Sequence, residues 1–227
     1  MKSDVRDLIY VYIDGNKVVS YGIEFNEFMA ALDELPNNIL ILKGHYGTHF
    51  DFNVNREYCT KDDFDEFVTE DVYSYGDFSW IDFEDIETLK RLSNQEIAEL
   101  YFFANKWTPL SDSFFKKLNN RFFYNAHDDG WVNWTYYNDI KEFHSILKCV
   151  TQNKVKHLYG TESILSKEDI AKILDLSTRG VAISLIDANS IGIYELGMFS
   201  DMDKMFDEVK NKKPSWIIDN VSRCKNV

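Results

Sequence analysis

Near its amino terminus the chain reads Leu8-Ile9-Tyr10-Val11-Tyr12-Ile13, then Asp14-Gly15-Asn16, then Lys17-Val18-Val19-Ser20-Tyr21-Gly22-Ile23. Two β-rich runs on either side of an Asp-Gly pair predict a β-hairpin with a tight turn. Apolar residues at helical spacing follow on one face, namely Phe28, Met29, Leu32 and Leu35. This segment stops at Pro36, because proline cannot continue a helix. The chain is therefore predicted to open with a strand-turn-strand-helix module.

The same order recurs three more times along the chain. The second module is predicted from strands over 39–43 and 48–54, a turn near 44–47 and a helix from about residue 60. The third has strands over 121–126 and 131–137, and the fourth has strands over 181–186 and 191–196, each followed by an amphipathic helical run. The first and last modules read alike, which raises the hypothesis of an internal duplication.

A helical insert is predicted between the second and third modules. Apolar residues recur at every third position from Phe83 to Leu92, and Ser93 with Glu96 then forms a capping box for a further helix. A similar cap at Ser166 predicts a helix before the fourth module. The predicted fold class is α+β, with a mainly antiparallel sheet.

The composition is that of a folded protein, since 44% of the 227 residues are apolar and 28% are charged. The charge is distributed unevenly: residues 1–110 hold 22 acidic and 9 basic residues, whereas residues 111–227 hold 16 of each. The whole net charge of −13 thus arises in the first part. We predict an acidic α+β lobe with the helical insert over 1–110 and a charge-neutral α+β lobe over 111–227, unless the two form one continuous domain.

Several classes of protein are excluded or disfavoured by the sequence. The longest apolar runs, 39–42 and 180–186, fall far short of the roughly 20 residues that span a bilayer. The first residues lack the apolar region of a signal peptide, and three widely spaced cysteines fit reduced thiols. An isoelectric point near 4.8 disfavours direct binding to nucleic acid. We therefore predict a cytoplasmic protein without a membrane segment or a cofactor.

An acidic stretch dominates the first lobe. Eleven Asp and Glu residues, and no Lys or Arg, lie between Lys61 and Lys90. Seven aromatic residues in the same stretch indicate a folded surface rather than a disordered acidic tail. On the helix predicted here, Asp62, Glu66 and Glu70 recur at every fourth position on the outer face. Like charges at that spacing destabilise a helix, so the row indicates selection for something other than stability.

Two interpretations of the acidic stretch remain open. It is either a solvated face that keeps the protein soluble or a docking surface for a basic partner protein. In the second case the aromatic side chains supply the buried anchors, and the carboxylates either mimic DNA phosphates or plug a basic toxin. The predicted partner-binding residues are Asp62, Asp63, Asp65, Glu66, Glu70, Asp71, Tyr73, Tyr75, Asp77, Trp80, Asp82, Glu84, Asp85 and Glu87.

The order of strand, turn, strand and acidic helix, followed by an acid-rich segment, resembles the general plan of the antirestriction DNA mimics of mobile elements. The resemblance covers about the first hundred residues and lies in pattern and charge. It implies an inhibitor of a DNA-binding enzyme, and it carries no functional residue over to this chain.

Two clusters of His and Asp provide an alternative from another class, a small metal-dependent hydrolase. The first cluster is His45, His49 and Asp51, of which the last two share one face if 48–54 is a strand. The second is His127, Asp128 and Asp129, although Asp-Asp-Gly between two β-rich runs is also typical of a turn. The aromatic hairpin around this turn is interpreted as core packing, with docking of an accessory subunit onto a larger enzyme as the other possibility.

The sequence thus favours a non-enzymatic, cytoplasmic inhibitor or immunity-type protein. Its expected partner is a basic protein, such as a DNA-binding enzyme or a toxin, and it is expected to bind neither nucleic acid nor a membrane directly.

Overall fold

The computed structural model describes residues 8–43, 56–69, 78–96, 100, 117–127, 130–159, 165–187, 190–199 and 201–219. Its strands are β1 Leu8–Asp14, β2 Lys17–Tyr21, β3 Asn38–Lys43, β4 Arg56–Thr60, β5 Phe78–Phe83, β6 Phe122–His127, β7 Val132–Tyr137, β8 Val181–Asp187, β9 Ser190–Glu195 and β10 Trp216–Asp219. The α-helices with described bounds are α1 Phe25–Ala30, α2 Phe64–Phe67, α3 Ile86–Lys90, α4 Lys141–Tyr159, α5 Lys167–Ser177 and α6 Met202–Asn211. The predicted α+β class with a mainly antiparallel sheet is confirmed.

The chain divides into two compact units that do not follow the predicted lobes. The first unit joins residues 1–23 to residues 141–227, and the second unit spans residues 24–140. The amino-terminal hairpin belongs with the carboxyl-terminal part because β1 pairs with β8, with Leu8 opposite Ser184. Net charge describes the surface and carries no information on strand partners, which is why the division at residue 110 differs from the observed one.

The first unit is a five-stranded antiparallel sheet in the order β10-β9-β8-β1-β2. The β1–β2 hairpin turns at Gly15, whose φ of 59° suits the first position of a two-residue type II′ turn. Helix α5 packs against β1 and β8, and the Lys172 ammonium lies 3.9 Å from the ring centroid of Trp216. Helix α6 buries Met205, and its Phe206 ring meets the Tyr21 ring edge-on at 5.3 Å.

The second unit is a five-stranded antiparallel sheet in the order β4-β3-β5-β6-β7. On one side of this sheet, Phe28 of α1 packs edge-on against Phe122 at 5.0 Å, and Phe67 of α2 packs against Trp80 at 5.2 Å. The other side carries a cluster of buried apolar residues, which comprises Leu40, Leu42, Ile81, Phe83, Leu89, Leu92, Leu100, Leu118, Phe123 and Tyr136. The sheet of this unit is therefore covered on both faces.

Local signals located several elements correctly. Ser166 and Asp169 form the predicted capping box of α5, and Ser93 and Glu96 exchange the hydrogen bonds of the second predicted cap. In the described order of elements, two consecutive antiparallel strands precede a helix four times, at α1, α2, α4 and α6. An origin of this recurrence by duplication stays a prediction.

Two strands of the second unit, β4 and β5, were not predicted. Strand β4, at 56–60, pairs with β3, and the strand predicted over 48–54 lies outside the described residues. Strand β5 lies inside the acidic stretch and was not predicted, because all six of its residues are buried and the sequence therefore shows no alternation of polar and apolar residues. It is nevertheless central, since it pairs with β3 on one side and β6 on the other.

Among the helices whose residues are described, none is long and apolar enough to cross a membrane.

Candidate functional site

Two acidic segments leave the sheet of the second unit at the same end. Asn38, the first residue of β3, lies opposite Thr60 of β4 on one side and opposite Phe83 of β5 on the other. Because neighbouring strands are about 4.8 Å apart, Thr60 and Phe83 are about 10 Å from each other. The Asn38 amide donates to the carbonyl oxygens of Phe83 at 3.2 Å and Glu84 at 3.0 Å, and the Lys61 N–H donates to the Asn37 carbonyl at 2.8 Å. The segments that begin at Lys61 and Glu84 are thereby held side by side.

These segments expose a set of carboxylates that we call the acidic surface. It consists of Asp62, Asp63, Asp65, Glu66, Glu84, Asp85 and Glu87, all of which are exposed.

Among the described residues, four carboxylates of the acidic surface have neither a counter-ion nor a hydrogen bond. In the part of the chain that the structure describes, no Lys or Arg forms an ion pair with Asp62, Asp65, Glu66 or Glu84, and no donor bonds to their carboxylates. Glu87, in contrast, pairs with an ammonium group of the same helix at 3.0 Å. The uncompensated charge is therefore concentrated on the segment after β4 and on the first residue after β5.

The other members also stabilise the local backbone. The Asp63 carboxylate accepts a hydrogen bond from the Thr60 hydroxyl at 2.7 Å. Asp85 is the N-cap of α3 and accepts the N–H groups of Glu87 at 3.1 Å and Thr88 at 3.0 Å. The Thr88 hydroxyl and then the Glu87 N–H hold the pKa of Asp85 below its usual value. Hydrogen bonds thus hold both carboxylates in fixed positions.

Trp80 and Asp82, which were predicted to bind a partner, are not on this surface. The Trp80 side chain has 0% exposure and Asp82 has 4%, because both belong to the central strand β5. The prediction of a partner-binding role is corrected for these two residues, since both side chains are buried. The remaining predicted residues of this group, Glu70, Asp71, Tyr73, Tyr75 and Asp77, lie outside the described residues.

The buried Asp82 carboxylate fastens the start of β6. One of its oxygens accepts the N–H groups of Arg121 and Phe122, each at 2.9 Å, and the Arg121 Nε lies 3.5 Å from the other oxygen. The Arg121 guanidinium also donates to the Glu34 carbonyl at 2.7 Å, which ties the loop before β3 to the same point. Burial raises the pKa of Asp82 to about 6, although the hydrogen bonds and the Arg121 charge oppose this shift.

This raised pKa predicts an unusual pH dependence of stability. The native state holds the Asp82 proton up to about pH 6, whereas in the unfolded chain the pKa is near 3.8. The contribution of Asp82 to the free energy of unfolding is therefore fully present below pH 4. It falls as the pH rises through the native pKa, and it is about 3 kcal/mol lower at pH 7. Urea unfolding of the wild type and of Asp82→Asn at pH 4 and pH 7 measures this loss of stability. We expect the wild type to lose stability relative to the variant across this range, and parallel profiles would contradict the assignment.

The predicted row of acids on one helix is shorter than expected. Asp62 lies in a 3-10 turn, Lys61–Asp63, and Glu66 lies in α2, which ends at Phe67. As predicted, Phe64 and Phe67 face the core. The acidic surface is therefore built from two short segments rather than from one long helix.

Of the six residues in the two clusters proposed as metal ligands, only His127 is described. The other five, His45, His49, Asp51, Asp128 and Asp129, lie outside the described residues. His127 is the last residue of β6, and its ring meets the Trp134 ring edge-on at 6.0 Å. Its carbonyl accepts the N–H of Gly130, which has a φ of 86°, and this bond closes the hairpin. Within the described ranges, no three His, Cys, Asp or Glu residues are placed to hold a metal ion. The hydrolase hypothesis stays a prediction.

The aromatic hairpin formed by β6 and β7 packs in the interior. Phe122, Phe123, Tyr124, Trp134, Tyr136 and Tyr137 are all buried. Tyr124 stacks on Trp80 at 5.6 Å, and Phe123 meets Tyr136 edge-on at 6.3 Å. These contacts favour the packing interpretation of the hairpin over docking to a larger enzyme.

One exposed aromatic residue beside the acidic surface was missed by sequence reasoning. Tyr58 of β4 is 46% exposed, and its ring lies edge-on to Phe83 at 6.3 Å. The β-rich composition of residues 56–60 could have indicated a strand there, which would have placed Tyr58 three residues before the turn that begins at Lys61 (61 − 58).

Comparison of the chain with protein-family models, with curated proteins and with solved structures gave no match.

Proposed function

We propose that this protein is a non-enzymatic inhibitor or immunity-type protein that binds a basic partner protein through the acidic surface. One observation carries the proposal: strand pairing to Asn38 brings together two acidic segments that begin 23 residues apart in sequence, at Lys61 and Glu84 (84 − 61). Four of their carboxylates have neither a counter-ion nor a hydrogen bond among the described residues. The solvated-face interpretation accounts for charge in general, but it does not require this concentration at one end of one sheet.

The electrostatics favour a partner of opposite charge. Two carboxylates 8 Å apart repel each other by about 0.5 kcal/mol in water, and no described cation relieves Asp62, Asp65 or Glu66. Lys and Arg of a partner would remove that repulsion and would also accelerate the encounter. Tyr58 supplies an exposed aromatic contact next to the charges.

A dedicated partner suits the acidic surface better than general mimicry of DNA. Phosphates follow each strand of a duplex at about 3.4 Å per nucleotide of axis over many base pairs. The acidic surface offers a 3-10 turn, one turn of α2 and the start of α3, and no long row of carboxylates is found among the described residues. Its shape is thus closer to a patch for one protein than to a duplex backbone.

The proposal predicts that neutralising the patch abolishes capture of a partner. The test variant carries Asp62→Asn, Asp65→Asn and Glu66→Gln, which keep side-chain size while removing three charges. The matched control carries Asp203→Asn, Asp207→Asn and Glu208→Gln on α6, where the side chains are also exposed. In affinity capture from a lysate of the source cells, we expect the wild type and the control to retain a basic protein and the test variant to lose at least about 90% of it, because attraction between the charges is lost.

The salt and competition arms of this experiment define the outcome. Raising the salt from 50 to 500 mM should weaken binding at least about tenfold, since exposed charges are screened beyond a few ångströms at high ionic strength. Release of the partner by excess duplex DNA would identify its DNA-binding surface as the target. Equal capture by all three proteins, or an affinity indifferent to salt, would refute the proposed function.

A further inference from the structure

Beside the acidic surface, the outer edge of β4 presents backbone groups that pair with no other described strand. In the register of β3 and β4, Asn38 lies opposite Thr60 and Leu40 lies opposite Tyr58. The Lys61 N–H donates to the Asn37 carbonyl, and Asn37 and Lys61 are therefore a hydrogen-bonded pair. Hydrogen-bonded and non-hydrogen-bonded pairs alternate in an antiparallel ladder. The N–H and C=O groups of Tyr58, and the N–H of Thr60, therefore point away from β3.

No strand covers this edge in the part of the chain that the structure describes. Among the described strands, the order of the second unit ends at β4, which pairs only with β3. The Tyr58 side chain stands beside the edge with almost half of its surface exposed. Immediately after it the chain enters the turn that carries Asp62 and Asp63. A strand added here would thus meet backbone groups, an aromatic ring and carboxylates in succession.

We propose that an extended, Lys- or Arg-containing segment of the partner adds to the outer edge of β4 as a further strand of this sheet. The inference rests on the proposed function and names the binding mode at the same surface. The outward groups of Tyr58 and Thr60 hydrogen-bond to the added backbone, and the Tyr58 ring packs against a side chain of the added strand. The basic side chains of the segment reach the carboxylates of Asp62, Asp65 and Glu66.

Charge selects this occupant over a second copy of the same chain. Exposed edges in natural proteins are commonly protected by charged residues that repel the wrong strand. Here the adjoining charges are acidic, and the chain carries a net charge of −13, so two copies that paired edge to edge would repel each other. A basic strand meets the same edge with attraction instead.

The test uses a synthetic peptide of five Lys-Val repeats, with five Glu-Val repeats as the charge control. Tyr58→Pro removes the outward N–H without removing a bond to β3, and edge strands accept proline on the solvent side. Tyr58→Thr keeps that N–H and removes the ring. We expect Tyr58→Pro to bind the Lys-Val peptide at least tenfold more weakly than the wild type, and Tyr58→Thr to lose less than fivefold. Thermal unfolding verifies that each variant is folded. If Tyr58→Pro does not fold, Thr60→Pro takes its place, because it removes the neighbouring outward N–H.

Amide hydrogen exchange gives an independent measurement. The Tyr58 N–H should exchange rapidly in the free protein and at least tenfold more slowly with the Lys-Val peptide, and the Glu-Val peptide should not slow it. Four outcomes would each overturn the proposed strand pairing. They are rapid exchange of the Tyr58 N–H in the bound state, full affinity in both proline variants, slow exchange of this N–H already in the free protein, and absence of peptide binding. These failures differ from failure of the proposed function, because the variant with Asp62, Asp65 and Glu66 neutralised would still lose the captured partner.

Discussion

Gly180→Ala is expected to lower the free energy of unfolding by about 2–4 kcal/mol. Gly180 has a φ of 81°, in the left-handed region that costs residues with a Cβ about 1 kcal/mol. An added methyl group would also overlap the carbonyl oxygen of Gly197 and lie 2.9 Å from the Tyr10 hydroxyl. Overpacking against a backbone costs a further 1–3 kcal/mol or so, because the neighbour cannot rotate away.

The contacts around Gly180 explain why this collision is not easily relieved. The Gly180 carbonyl accepts the N–H groups of Leu196 at 2.9 Å and Gly197 at 3.3 Å. The Tyr10 hydroxyl donates to the Gly197 carbonyl at 2.7 Å and accepts the Phe199 N–H at 3.2 Å. Moving Gly197 aside would therefore break hydrogen bonds that join β1, the start of β8 and the segment after β9.

Two other glycines provide matched controls for this prediction. Gly15 and Gly197 have φ values of 59° and 87°, and a Cβ at either position would meet no atom within 4 Å. Gly15→Ala and Gly197→Ala are expected to cost only the backbone strain, about 1 kcal/mol each. Urea unfolding of the three variants separates collision from strain, and equal losses in all three would show that the Gly180 contacts contribute nothing.

Trp80→Ala is expected to destabilise the protein by about 3–5 kcal/mol, the range found when large aromatic side chains are removed from a core. The Trp80 indole is fully buried among other aromatic rings. Its ring centroid lies 5.2 Å from that of Phe67, 4.3 Å from that of Phe78 and 5.6 Å from that of Tyr124. Its removal would leave a cavity between the sheet of the second unit and the turn that carries the acidic surface.

Trp80→Phe and Tyr58→Ala are the controls for this second prediction. The Trp80 Nε1–H is buried without an acceptor among the described residues, so Trp80→Phe removes an unsatisfied donor and should cost no more than about 1.5 kcal/mol. Tyr58→Ala removes an exposed ring and should cost less than about 1 kcal/mol. Chemical unfolding at pH 7 measures all three variants. A loss below 1 kcal/mol for Trp80→Ala would contradict its place in the core.

This second prediction also separates structure from binding. If Trp80 acts only by packing, Trp80→Phe retains the captured partner while Trp80→Ala loses it in proportion to the unfolded fraction. A folded Trp80→Phe variant that no longer binds the partner would instead indicate that Trp80 contacts the partner, which the burial of this side chain argues against.

The acidic surface was only partly predictable. Local counting found the charges of Asp62, Asp65 and Glu66, and these side chains are exposed. The same counting included Trp80 and Asp82, because a buried strand within an acid-rich stretch has no periodicity that distinguishes it from its surroundings. Burial of a carboxylate becomes tolerable only when backbone N–H groups from elsewhere reach it, as those of Arg121 and Phe122 do for Asp82.

The sequence by itself determined the elements whose causes are local. The hairpin at Gly15 and the helix cap at Ser166 depend on residues within a few positions of each other, so turn and capping chemistry predicts them. The tertiary structure alone decided that β1 pairs with β8 and that β3 separates β4 from β5. Strand partners are chosen by the burial of whole faces across long stretches of chain, and no short pattern encodes that choice. The meeting of the two acidic segments at Asn38, and with it the candidate site, belongs to this second class.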